Sequence, residues 1–284
     1  MCDNCGCEKT DHFHVYPGSG ASHPHPAHHE HGPAHPHGRA HEPHAHGSQA
    51  TWHAHTAADG SVSWHSHGGT GAQPILDANQ REAERNRGYF RARDILALNL
   101  VSSPGSGKTT LLRATLERLH SRVGCAVVVG DLETQADAEA LRPSGAPVVQ
   151  ITTGTVCHLD ARMVAAAVDT LPKDGVQLLF IENVGNLVCP ASFDLGEAHR
   201  IVLLAATEGE NKPLKYPPIF HGARAVVISK TDLAEPAGFD LARARQAIAQ
   251  VAPEAEILEL SARTGSGLDA WIAFLERLLA PADS

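Results

Sequence analysis

The segment Ile95-Leu-Ala-Leu-Asn-Leu-Val101 is apolar for the length of one strand, then breaks into Ser102-Ser-Pro-Gly-Ser-Gly-Lys-Thr109 and continues into residues with a helical pattern. A strand, a glycine-rich turn and a helix in that order leave few architectures open. The strand must be buried, the turn must sit at its carboxyl end, and the helix must pack back onto the sheet. Such a turn is a phosphate cradle. Gly105 and Gly107 let backbone amides curl around phosphate oxygens, with Ser106 and Thr110 in the same cradle. Lys108 supplies a cation to the β- and γ-phosphates, and Thr109 offers a hydroxyl to Mg²⁺. Ser102 stands where the first glycine of such loops is usual.

Around this motif, short apolar runs alternate with amphipathic ones. Strands are predicted at Ile95–Val101, Ala126–Val129, Val148–Ile151, Leu178–Ile181, Ile201–Ala206, Ala225–Ser229 and Ile257–Leu260. Helices are predicted at Thr109–Ser121, Gln135–Leu141, Cys157–Leu171, Leu241–Val251 and Leu268–Leu279, preceded by a leading helix over Ile75–Arg93 with Asp77 as its N-cap. The expected fold is α/β: a mostly parallel sheet flanked by helices, with ligands gathered at the carboxyl ends of the strands.

Residues 1–74 differ in kind. They carry sixteen of the twenty histidines and are dominated by His, Gly, Pro, Ala and Ser. So little apolar surface cannot offset the entropy of ordering, and the segment is expected to be a metal-binding tail, disordered without metal, ahead of a domain over 75–284. The net charge of −9 is spread along the chain, with no basic stripe for nucleic acid and no polybasic membrane anchor. No apolar run approaches a membrane span and no signal-peptide pattern opens the chain, so a cytoplasmic protein is expected, with its thiols reduced.

Base choice falls to Ser229-Lys230-Thr231-Asp232, directly after a predicted strand. It resembles the Asn-Lys-x-Asp guanine motif, in which the Asp carboxylate takes two guanine N–H groups and the Lys stem covers the ring. Ser261-Ala262-Arg263 matches the loop whose backbone contacts the guanine oxygen. GTP is therefore the expected nucleotide. Glu182 and Asp131, each ending a predicted strand, are candidate Mg²⁺ carboxylates, and Gly185 of Glu182-Asn-Val-Gly is placed to offer its amide to the γ-phosphate. No Gln or Arg declares itself as a water-orienting or charge-stabilising group, so slow intrinsic hydrolysis is expected.

Two metal-binding sets accompany the nucleotide motifs. Cys2, Cys5 and Cys7 supply three thiolates suited to Ni²⁺ or Zn²⁺. Behind them, the pairs His23 and His25, His35 and His37, His44 and His46, His53 and His55, and His65 and His67 form a weak, high-capacity nickel store. Only neutral imidazoles bind, so its capacity falls below about pH 6.5. The second set is Cys157 and His158, expected to begin a helix whose N-terminus favours the thiolate, together with Cys189. Cys189 lies four residues beyond Gly185, at most about 13 Å of extended chain, so loss of the γ-phosphate has a short route to a metal ligand.

These motifs together resemble the HypB family, nickel-insertion GTPases of [NiFe]-hydrogenase maturation within the SIMIBI class of P-loop proteins. The resemblance rests on Met1-Cys-x-x-Cys-Gly-Cys7, the phosphate loop, Gly130-Asp-Leu-Glu-Thr134, Cys157-His-Leu-Asp-Ala161, Glu182-Asn-Val-Gly-Asn-Leu-Val-Cys-Pro190 and Lys215-Tyr-Pro-Pro-Ile-Phe220. It implies a GTP-dependent homodimer that passes nickel, with a HypA-type chaperone, to the hydrogenase large-subunit precursor. It also implies that Cys157, His158 and Cys189 form a nickel or zinc site near the dimer interface, separate from a tight site at Cys2, Cys5 and Cys7. Some relatives place a further histidine on the following helix, where this chain has Arg162. Two alternatives stand beside it. One is a urease-type accessory GTPase, whose metal motif sets a Pro between Cys and His. The other is a nickel or zinc storage protein with little GTPase role.

Overall fold

The computed structural model describes residues 14–17, 51–56, 62–67 and 73–280. In chain order these form β1 (His14–Pro17), β2 (Thr51–Thr56), β3 (Val62–His67), α1 (Gln73–Ala92), β4 (Leu96–Ser102), α2 (Lys108–Leu119), β5 (Cys125–Asp131), α3 (Ala136–Leu141), β6 (Val148–Thr152) and α4 (Ala161–Thr170). There follow β7 (Leu178–Glu182), β8 (His199–Ala205), α5 (Lys212–Lys215), α6 (Pro217–Phe220), β9 (Ala225–Ser229), α7 (Leu241–Val251), β10 (Glu256–Glu259) and α8 (Leu268–Leu279).

The main sheet has eight strands in the order β1-β6-β5-β7-β4-β8-β9-β10, parallel except for β1. The seven parallel strands are the seven predicted from sequence, each within two residues of its expected bounds. Alternation along them feeds two faces. Leu98 and Leu100 of β4 and Leu178 and Phe180 of β7 pack under α2 and α8 with Trp271 and Phe274. Ala97 of β4 and Leu179 and Ile181 of β7 pack on the opposite face with Phe90 of α1 and Met163 and Val164 of α4. The buried Trp271 indole N–H donates to Thr115 Oγ1 at 2.8 Å, which meets its one polar need.

Three boundaries differ from the sequence reading. The helix expected at Cys157–Leu171 begins only at Ala161, because the Asp160 carboxylate accepts the Met163 N–H at 2.8 Å and so caps it. Cys157 and His158 thus lie on the loop before α4 instead of in its first turn. Asp77, expected as the cap of the leading helix, lies inside α1 and is exposed. Thirdly, His14–Pro17, which the sequence reading assigns to the tail, forms an antiparallel edge strand with His14 beside Thr152 and Pro17 beside Val149. Val15 packs on the core beneath it.

β2 and β3 make an antiparallel pair with His53 in register with His65. Among the described residues, no helix is long and apolar enough to cross a membrane.

Candidate functional site

The phosphate loop leaves β4 at the middle of the sheet, where consecutive strands depart to opposite sides. Gly105 and Gly107 take φ of +71° and +93°, values that side chains with a Cβ strain to adopt. The Lys108 ammonium is buried and donates to Ser102 Oγ at 3.0 Å. The serine in the usual glycine position therefore anchors the loop's lysine. Burial pulls the Lys108 pKa down against the opposing pull of Glu182, Asp137, Glu208 and Asp131.

Neighbouring strand ends brace the loop. Ser229 Oγ donates to the Ser106 carbonyl at 2.7 Å, and Lys230 Nζ donates to the Gly105 carbonyl at 2.5 Å from a backbone in the left-handed region, φ +56°. Ser106 Oγ lies 2.5 Å from Glu208 Oε1, a carboxylate also paired with Lys212 at 3.1 Å. A cavity of about 430 Å³ opens beside these residues, bounded by Lys108, Thr109, Asp131, Asp137, Glu182 and Lys230 among others. Thr110 and Gly185 also line it, and among the described residues neither Gln nor Arg does.

At its floor, Thr109 Oγ1 lies 2.8 Å from Glu182 Oε1 and 3.0 Å from Asp137 Oδ1. Glu182 is 3% exposed, burial pushes its pKa up to about 7, and its Oε2 has no hydrogen-bond partner. A buried carboxylate oxygen left unpaired is costly. With the Thr109 hydroxyl and the carboxylates of Asp137 and Asp131 around it, the hard-oxygen set fits Mg²⁺. Asp131 has a structural task too: Oδ1 accepts the N–H groups of Glu133 and Thr134, at 3.1 and 2.7 Å, and so shapes the turn after β5. Asp137 and Glu208 were missed in the sequence. Each is an acid in a polar stretch, and only the fold brings it to the phosphate loop.

Asp232, Ser261 and Ala262 follow β9 and β10 and do not line that cavity. A hydrogen bond from Ser261, then contacts from Arg263, hold the half-buried Asp232 carboxyl below its usual range. Arg263 donates through Nε and Nη2 to Asp232 Oδ2, at 3.0 and 2.7 Å.

The second site is more compact. Cys157 Sγ and Cys189 Sγ are 2.9 Å apart, and one donor atom each from Cys157, His158 and Cys189 lies within 4.8 Å of the others. His158 is fully buried and stacks on Phe193, with ring centroids 3.8 Å apart. Neither of its ring nitrogens has a partner, and burial pushes its pKa down to about 4. A neutral imidazole with both nitrogens unsatisfied beside two thiols is a donor set for a borderline transition metal such as Ni²⁺ or Zn²⁺. Among the described residues no fourth ligand joins these three.

Gly185 links the two sites. A Cβ there would fall 2.8 Å from Pro104 Cα and 3.0 Å from Pro104 N, so the segment after β7 rests directly on the phosphate loop. Both neighbours are backbone, so Gly185→Ala must displace one of them. Nucleotide turnover is expected to fall by about tenfold or more, with about 1–3 kcal/mol of overpacking cost as the source. Steady-state phosphate release measures it, and a variant turning over at the wild-type rate would show that the contact is dispensable.

Of the tail ligands, Cys2, Cys5, Cys7, His23, His25, His35, His37, His44 and His46 lie outside the described residues. His53 and His55 fall on β2, and His65 and His67 on β3.

Residues 96–259 match the model of the CobW/HypB/UreG nucleotide-binding domain. The hydrogenase maturation factor HypB of Escherichia coli is 54% identical over 202 residues, 71% of this chain and 70% of that one. The crystal structure of HypB from Archaeoglobus fulgidus matches at 39% identity with a TM-score of 0.67, covering 72% of this chain and 100% of that one. HypB from Helicobacter pylori in complex with nickel matches at 39% identity and a TM-score of 0.67, over 73% and 99% of the two chains. With the strand order, the phosphate loop and the Cys-His-Cys cluster all in place, the chain belongs to the CobW/HypB/UreG family of nucleotide-binding proteins, among the HypB hydrogenase maturation factors.

Proposed function

We propose that the protein is a slow GTPase and nickel metallochaperone whose nucleotide state controls the release of nickel toward a [NiFe]-hydrogenase large-subunit precursor. The observation that carries this is the single segment Glu182–Cys189. It starts at the Thr109–Glu182 contact, touches Pro104 through Gly185, and ends at a thiol 2.9 Å from Cys157. The nickel in the Helicobacter pylori complex supports nickel as the cargo.

In this reading Lys108 and the loop amides hold the β- and γ-phosphates, Asp232 takes the guanine N–H groups, and Ser261 and Ala262 close over the base. Mg²⁺, when bound at Thr109 and Glu182 with Asp131 and Asp137 nearby, supplies charge neutralisation for the phosphates. Gly185 presents its amide to the γ-phosphate. A cavity wall without Gln or Arg among the described residues supports slow intrinsic turnover. Cys157, His158 and Cys189 hold nickel, with zinc a competitor, while Cys2, Cys5, Cys7 and the tail histidines collect and store it. A HypA-type chaperone and a GTP-bound homodimer complete the delivery, in the cytoplasm.

Adjacent Cys157 and His158 favour this reading over the urease-type alternative, whose motif separates the two. The test compares nickel affinity of the full chain, with Cys2, Cys5 and Cys7 replaced by Ala, in the presence of a non-hydrolysable GTP analogue and of GDP. Affinities differing by about fivefold or more are expected, the low end of ordinary coupling between sites. Equal affinities in the two states would leave a storage protein.

A further inference from the structure

α1 presents one buried stripe, Asn79, Ala83, Asn86 and Phe90, spaced as i, i+4, i+7 and i+11. Two of these four are asparagines, where a helix that merely packs on a sheet would carry apolar residues. Their partners explain them. Asn79 Oδ1 accepts the Ala161 N–H at 2.8 Å, and Asn79 Nδ2 donates to the Asp194 carbonyl at 2.8 Å. Asn86 Nδ2 donates to the Ala161 carbonyl at 2.8 Å and to the Leu195 carbonyl at 3.0 Å. Ala161 closes the loop that carries Cys157 and His158. Asp194 and Leu195 close the loop that carries Cys189 and Phe193, the ring on which His158 stacks. Each asparagine therefore spans both ligand-bearing loops.

The helix also lies close against the second loop. A Cβ on Gly196, whose φ is +85°, would fall 2.5 Å from the Ala83 carbonyl oxygen and 2.6 Å from Asn86 Cβ. Arg87 adds a hydrogen bond to the Glu197 carbonyl at 3.0 Å and an ion pair with Asp194 at 2.5 Å. Buried amides held by two hydrogen bonds each are restrained to one geometry.

We infer that Asn79 and Asn86 are positioning residues of the Cys157–His158–Cys189 site: α1 is a splint that fixes the separation of the two loops, and with it the distance between the thiols. The inference rests on the metal-binding reading of those three residues. Partners that orient ligands are commonly worth 10–100-fold in metal affinity.

The test uses the full chain with Cys2, Cys5 and Cys7 replaced by Ala, so that thiolate-to-cobalt charge-transfer absorption comes from the Cys157 and Cys189 site. Cys125, the other remaining thiol, starts β5 at the end away from Asp131. Co²⁺ is the probe. Asn79→Asp keeps the acceptor and cuts the Asp194 bond alone, while Asn86→Asp cuts both of its bonds at unchanged size. Co²⁺ affinity is expected to fall about tenfold in the first and on the order of 10–100-fold in the second, with shifted d–d bands in both. Binding of GDP should be unchanged. Phe90→Leu, on the same stripe but bonded to neither loop, is the control for softening of the fold and should leave the spectrum and affinity intact.

Background affinity and spectra in both asparagine variants would overturn the inference. So would an equal loss in Phe90→Leu at matched melting temperature. Should Asn86→Asp not fold, Asn79→Asp alone decides. Absence of any thiolate–cobalt band in the unaltered background would sink the metal reading itself, and the splint with it.

Discussion

Lys108→Ala is expected to lower GTP turnover by on the order of 10²–10³, the usual effect of removing a preorganised charge aimed at a transition state. The structure gives the loss two sources. The ammonium that would meet the phosphates disappears, and the nearby carboxylates of Glu182, Asp137 and Asp131 lose the cation that offsets them. A triphosphate entering beside them is repelled, so affinity and the chemical step should both suffer. Single-turnover phosphate release with saturating GTP separates the two. A variant as fast as wild type would remove the phosphate loop from the chemistry and revive the storage reading.

Cys189→Ala should strike the other site and spare this one. It removes one of three converging donors and leaves a buried imidazole and one thiol, a poor set for Ni²⁺. With the tail thiols replaced, nickel affinity is expected to fall by more than the 10–100-fold that supporting residues command, and its dependence on nucleotide should vanish. Competition against a chromophoric chelator reads both quantities. GTP turnover should stay near wild type, because Cys189 is not among the described residues that line the cavity at the phosphate loop. Nucleotide-dependent release that survives the substitution would break the proposed route through Glu182–Cys189.

What could be read from the chain before its fold was known followed from locality. Apolar runs such as Ala225–Ser229 and amphipathic ones such as Leu241–Val251 and Leu268–Leu279 match their observed bounds because their burial pattern is periodic within the segment itself. The phosphate loop was legible because glycine spacing and a following helix are local as well. Asp160 shows where this fails: its capping hydrogen bond outcompeted the helical pattern extended back to Cys157, and a single acid in a polar stretch does not announce which of two starts will win. Asp137 and Glu208 are visible only once α3 and the turn after β8 are brought to β4. The asparagines of α1 did leave a trace, two amides seven residues apart on an otherwise apolar stripe. That pattern asks for partners without naming them.

The edge strand β1 changes how the protein can be cut. β6 reads Val-Val-Gln-Ile-Thr, and with β1 beside it both of its ladders are filled. Trimming the histidine-rich region at residue 70 would strip β1 as well, baring the β6 backbone and the side chains under Val15. Bare apolar edges recruit other strands. A shortened chain that precipitates or self-associates would then be reporting a lost edge guard rather than a lost metal store. Internal deletion downstream of Pro17, with the first strand retained, is expected to keep that edge covered.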